Sequence, residues 1–117
     1  MKEMFYLDYA VFLDLYRDAL TYSDQDRYTT ERGWQTWMDG YSFDTVVEIL
    51  QKIFWIANTD LKELRNSISV SQKKFSESYG INQRTYERYE SSERTPSTAT
   101  LTMIKYIYFL RSMNEVN

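Results

Sequence analysis

From Phe5 onward, apolar residues recur at the spacing of one helical face: Phe5, Tyr9, Phe12, Leu13, Tyr16 and Leu20. The pattern predicts a helix from about Met4 to Tyr22, with Leu7, Val11 and Leu15 as a second apolar strip. Asp14 and Asp18 fall one turn apart on the side that is left, facing solvent or a partner. Ser23 to Tyr28, SDQDRY, reads as a polar connection, and a short helix is expected from Thr30 to Met38, ended by Asp39-Gly40. Its Trp34, Trp37 and Met38 are assigned to the core, the usual place for tryptophans at such spacing.

Ser42 can cap the next helix, in which Phe43, Val46, Val47, Leu50, Ile53, Phe54 and Ala57 form an amphipathic stripe widened by Ile49, Trp55 and Ile56. Asp60, with Glu63 three residues on, opens LKELRNSI, whose Leu61, Leu64 and Ile68 point inward while Lys62 and Arg65 stay exposed. Thr95 and Pro96 are placed at the start of the last helix, where a proline lacks no amide partner. Leu101, Ile104, Ile107, Tyr108 and Leu110 cover one face of it, and Met103, Tyr106 and Phe109 make it apolar nearly all round. That surplus is explained by packing on the N-terminal helices or by a homodimer through this helix.

Between these two helices lies SQKKFSESYGINQRTYERYESSERTP, Ser71 to Pro96, which reads as two short helices and a tight turn. Ser71 caps the first, Gln72 to Tyr79, and Gly80 supplies the positive φ that ends it. Asn82 caps the second, Gln83 to Glu90, and Phe75, Ile81, Tyr86 and Tyr89 are expected to be buried around the turn. Arg84, Thr85, Glu87 and Arg88 occupy the positions that Tyr86 and Tyr89 leave free, where a helix-turn-helix keeps the side chains that read DNA. Glu90 and Arg94 stand four residues apart, the spacing of a helical ion pair.

At these residues the chain resembles the Cro/phage-repressor (XRE) family over positions 60 to 111. Ser71-Gln72, Phe75 and Ser76, Gly80-Ile81, Tyr86 and Tyr89, then Glu90, Arg94 and Pro96 match its pattern. Ser92 stands where the family usually has glycine, and Glu93 where a basic residue would face phosphate. The resemblance implies a transcriptional regulator of a phage or mobile element that binds double-stranded DNA. Gln72 and Gln83 fall on family positions that touch phosphate and base. Arg84, Thr85 and Arg88 would reach the major groove, and Lys73 a phosphate.

Composition narrows the remaining chemistry. The 117 residues include no cysteine and no histidine. Disulfides, thiolate metal sites, the usual zinc ligands and every Ser/His or Cys/His dyad are thereby excluded, so no enzyme, cofactor or metal is expected. Acids among the apolar residues of MKEMFYLDYAVF argue against a signal peptide, no apolar run is long enough to cross a bilayer, and a cytoplasmic setting is expected.

Net charge is −3, divided unevenly: residues 1 to 48 hold ten acids and four bases, residues 49 to 117 ten bases and seven acids. The resulting expectation is an all-α protein, a repressor-like bundle at 59–117 with an acidic helical segment at 1–58 packed on it. A second function fits the acidic half, in which Asp14, Asp18, Asp24, Asp26 and Asp39 imitate phosphates and block the basic channel of a Cas nuclease, as an anti-CRISPR protein does. A third is a toxin-antitoxin or regulatory scaffold without DNA readout that uses the apolar last helix.

Overall fold

In the computed structural model, residues 3–116 are described, and among them every regular element is helical. The chain forms two compact units: residues up to Asn58 together with those from Lys105 onward, and Thr59–Ile104.

In the first unit, α1 (Tyr9–Ala19) starts later than its apolar spacing suggests, because the Asp8 carboxylate accepts from the Ala10 amide at 2.7 Å and caps it there. The residues before it serve an extended segment instead. Phe5 exchanges two hydrogen bonds with the Asn114 side chain (2.6 and 3.0 Å), and the carbonyl of buried Leu7 accepts from the Tyr106 hydroxyl at 2.6 Å. Phe5 and Leu7 stand four residues before Tyr9 and Val11 of α1, yet they pack without being helical themselves.

The expected connection at Ser23 to Tyr28 contains a helix, α2 (Gln25–Thr30), capped by Asp24 and anchored by fully buried Tyr28, whose hydroxyl donates to the Leu15 carbonyl at 2.8 Å. The helix expected from Thr30 to Met38 is absent. Gly33 takes a left-handed φ of 68° and a 3-10 turn follows at Thr36–Gly40. Of the three residues assigned to the core there, Met38 is buried, Trp37 half-buried and Trp34 58% exposed. The Trp34 indole N–H is satisfied at the surface by Asp39 at 2.7 Å, so it needs no interior partner.

α3 (Phe43–Ala57) is capped by Ser42 and buries Val46, Ile49, Leu50, Ile53, Ile56 and Ala57. Its stripe is turned from the expected one: Phe43, in the first turn, is 70% exposed, and Ile49 and Ile56 lie at the centre. The part of α7 (Thr98–Met113) from Lys105 onward belongs to this unit. Phe109 meets Phe5 edge-on and Phe12 at 5.5 Å, while Tyr106 meets Tyr9 and Phe12. The apolar surplus of this part of the last helix is therefore used inside the unit. Lys105 is buried as well, its ammonium donating to the Ala57 carbonyl at 3.1 Å and lying 5.5 Å from the centre of the Tyr16 ring.

The second unit holds α4 (Leu61–Ser67), α5 (Gln72–Ser78), α6 (Gln83–Glu90) and the start of α7. Asp60, Ser71 and Asn82 cap the first three through the amides of Glu63, Lys74 and Thr85. The start of α7 is corrected: Ser97, not Thr95-Pro96, sits at the cap and accepts from the Thr100 amide at 3.1 Å, leaving Pro96 just outside. Gly80 has φ 67°, and the Ile81 and Gly80 amides return to the carbonyls of Ser76 and Glu77, a Schellman closure. Phe75 and Tyr86 are buried with their rings 5.0 Å apart, whereas Ile81 and Tyr89 are only half-buried.

After α6 the chain turns at Ser92, also left-handed at φ 65°. A residue with a side chain therefore stands in a conformation that glycine adopts freely. A Cβ at Gly80 would meet nothing within 4 Å, so substitution there costs backbone energy alone. Thermal melts should show opposite changes at the two sites. Gly80→Ala lowers stability by about 1–2 kcal/mol, and Ser92→Gly raises it by a smaller amount, because glycine adds freedom to the unfolded chain.

Candidate nucleic-acid interface

The second unit is held by a carboxylate. Glu90, at the end of α6, receives two hydrogen bonds from the Arg65 guanidinium of α4, Nε to Oε2 at 2.7 Å and Nη2 to Oε1 at 2.9 Å. The Gln72 amide of α5 donates to the same Oε1 at 3.1 Å, so the three helices meet on one side chain. The Glu90 side chain is 4% exposed and that of Arg65 13%. The Arg65 guanidinium also donates to the Val70 carbonyl at 2.9 Å, which fixes its plane. Burial pushes the Glu90 carboxyl up, but the hydrogen bonds from Arg65, Tyr86 and Gln72 outweigh it and hold the group below the ordinary glutamate range.

Two sequence-based expectations are corrected here. Glu90 pairs with Arg65 rather than with Arg94, and Arg65 is held by that pair instead of standing free in solvent. The partners are 25 residues apart, and no local spacing signals them.

The outer side of α6 differs from this inner one. Arg84 is exposed and Arg88 half-buried, and among the described residues neither makes an ion pair. Both line a shallow cleft of about 440 Å³ together with Gln72, Glu87, Ser91 and Glu93. Gln83 lies one turn before Glu87 and donates to its Oε1 at 3.1 Å. Thr85 is half-buried, and its amide is taken by the Asn82 cap at 3.2 Å. Lys73 is exposed on α5. The cleft thus brings together Gln72, Arg84 and Arg88 of the six expected DNA-reading residues, while Lys73, Gln83 and Thr85 stand outside its lining.

Residues 61–104 match the family model described as Helix-turn-helix. This segment is a helix-turn-helix module of the Cro/repressor type. No curated protein and no solved structure matches the chain. Within the module, α5 and α6 are the two helices of the motif, joined by the Gly80 turn. The cleft lies at α6, the second helix of the motif. Ser91 of the lining has no sequence signal beyond adjacency to the motif, whereas Glu93 falls at the position where the resemblance places a basic residue.

The acidic candidates lie in the other unit and are mostly engaged. Asp18, expected to be free or held by a partner, is half-buried and accepts from Arg32 Nη2 at 2.8 Å. Asp24 caps α2, and Asp39 accepts from Trp34. Asp14 and Asp26 are exposed, and their carboxylates have no partner among the described residues. Among the same residues no group of acids has the arrangement of a metal site, and no helix is long and apolar enough to cross a membrane.

A pH titration of stability tests the central pair. Because the Glu90 carboxyl is lowered on folding, its contribution is present above the ordinary glutamate value of about 4.3 and is lost as pH falls through the folded value. Glu90→Ala leaves the Arg65 guanidinium without its partner and should cost about 3–5 kcal/mol at neutral pH. In urea unfolding, the gap between wild type and variant should narrow on acidification.

Proposed function

We propose that the protein is a DNA-binding regulator whose helix-turn-helix module lays α6 in the major groove. The observation that carries this reading is the pair of cationic side chains Arg84 and Arg88, without ion-pair partners among the described residues and on the outer side of a helix whose inner side is fixed by Phe75, Tyr86 and Glu90. A guanidinium left free and projecting from a rigid helix can form two parallel hydrogen bonds to guanine O6 and N7. Gln83 and Thr85 add amide and hydroxyl groups on the same helix, and Lys73 adds a positive charge for a phosphate. Gln72 donates one amide N–H to Glu90, so its side chain stands within the framework that sets the angle of α5 to α6, and its second N–H is left to donate to a phosphate oxygen.

Glu87 and Glu93 temper the charge of this surface: the cleft lining holds two arginines and two glutamates. Affinity is therefore expected to depend on correct base contacts more than on bulk attraction to phosphate. The phage or mobile-element setting belongs to this proposal through the resemblance alone. The reading as a phosphate-mimicking inhibitor of a nuclease is weakened, because Asp18, Asp24 and Asp39 already hold neighbours in place and a row of free carboxylates is what such mimicry uses.

Binding to a duplex selected from a random pool, followed by fluorescence anisotropy at several salt concentrations, tests the proposal. Arg84→Ala and Arg88→Ala should each weaken the selected site by about 1–3 kcal/mol and reduce discrimination against other sequences. Lys73→Ala should weaken all sequences alike and lower the salt slope by about 1. Selection of no duplex even at low salt would overturn the proposal.

A further inference from the structure

The first unit contains a cleft of about 560 Å³ lined by Val11, Asp14, Leu15, Asp18, Arg32, Gln35 and Trp37. Its volume lies in the range of small-molecule sites. None of its residues belongs to the helix-turn-helix module, and the DNA reading makes no use of it.

Several of its walls are fixed by bonds already described or adjacent to them. Arg32, with a side chain 5% exposed, donates to Asp18 at 2.8 Å and to the Tyr28 carbonyl at 3.1 Å, and its guanidinium lies 4.2 Å from the centre of the Tyr28 ring. The charges of Arg32 and Asp18 thus cancel within the wall. The Trp37 indole N–H donates to Gln35 Oε1 at 2.7 Å, so its hydrogen-bonding group is occupied and the ring offers a ligand only its π surface. Val11 and Leu15, one turn apart on α1, add aliphatic surface, and Asp14 lies between them in sequence. Its carboxylate is exposed and has no partner among the described residues.

What remains for a ligand is one uncompensated negative charge, an indole ring and a strip of aliphatic side chains. The geometry points to a binding site for a small organic monocation with a flat apolar body, the class of the aromatic amines. The ammonium meets the Asp14 carboxylate, and the ring lies against Trp37, Val11 and Leu15. A carboxylate ligand is disfavoured, because the one guanidinium in the lining is already neutralised by Asp18. The Gln35 amide, turned to Trp37 through its oxygen, leaves its NH₂ for a ligand hydroxyl.

Calorimetric titration of the full chain with tyramine, with 4-hydroxyphenylacetate as the anionic counterpart, tests this without any DNA. Tyramine is expected to give a saturable isotherm at or below millimolar concentration and to shift the Trp37 indole N–H resonance while leaving that of Trp55 in place. Asp14→Asn should weaken binding by about tenfold or more, as loss of a charge-assisted hydrogen bond does, with an unchanged melt because the side chain is exposed. Trp37→Leu provides a second variant that removes the π surface. Absence of saturation at millimolar tyramine, equal binding of the anion, or undiminished affinity in Asp14→Asn would each overturn the assignment, and none of these results bears on whether the module binds DNA.

Discussion

The angle between the helices of the module rests on one buried carboxylate. Glu90 accepts from Arg65 of α4 and Gln72 of α5, and it ends α6, so a displacement of any of these helices would leave a charge in a space nearly closed to water. Apolar packing alone would allow the helices to slide, because Phe75 and Tyr86 make contacts that several rotations could satisfy. The two-pronged bond between guanidinium and carboxylate has one geometry. In this way a small core, with the two rings at its centre, can hold α6, and with it Arg84 and Arg88, in a fixed orientation.

The N-terminal unit achieves order by different means. Its non-helical segment at Phe5 to Leu7 is closed by the Asn114 side chain and the Tyr106 hydroxyl, more than ninety positions away, and the rings of Phe5 and Tyr9 meet those of Phe109 and Tyr106 edge-on. Tyrosine serves this purpose well, since it can bury a ring and still satisfy its hydroxyl on a carbonyl. Tyr28 and Tyr106 both do so, on Leu15 and Leu7.

The part of the chain legible from sequence was the part where local chemistry decides. Asp60, Ser71 and Asn82 cap the helices that their positions suggest, and Gly80 adopts the conformation that its place after Tyr79 requires. Even the departure at Ser92 is interpretable: the backbone keeps the left-handed turn, and the serine bears it. Errors arose where distant partners override periodicity. Phe5 and Leu7 keep helical spacing yet lie in an extended strip, Trp34 finds its partner at the surface, and Arg65 reaches across the motif to Glu90. In the candidate site, Arg84 and Arg88 are legible because they are what the motif leaves outside, whereas no local spacing signals that Gln72 is held by Glu90.

The charge of the interface sets how the function must operate. With Glu87 and Glu93 beside the two arginines, a surface that binds DNA as proposed would draw little from undirected attraction, and contact with base edges would supply much of the affinity. Dimethyl sulfate footprinting on a selected duplex examines that claim at the atom concerned, guanine N7, which lies in the major groove. The account predicts protection of a small set of guanines, lost at one position with Arg84→Ala and at another with Arg88→Ala. A bound complex in which every guanine N7 stays reactive would contradict it.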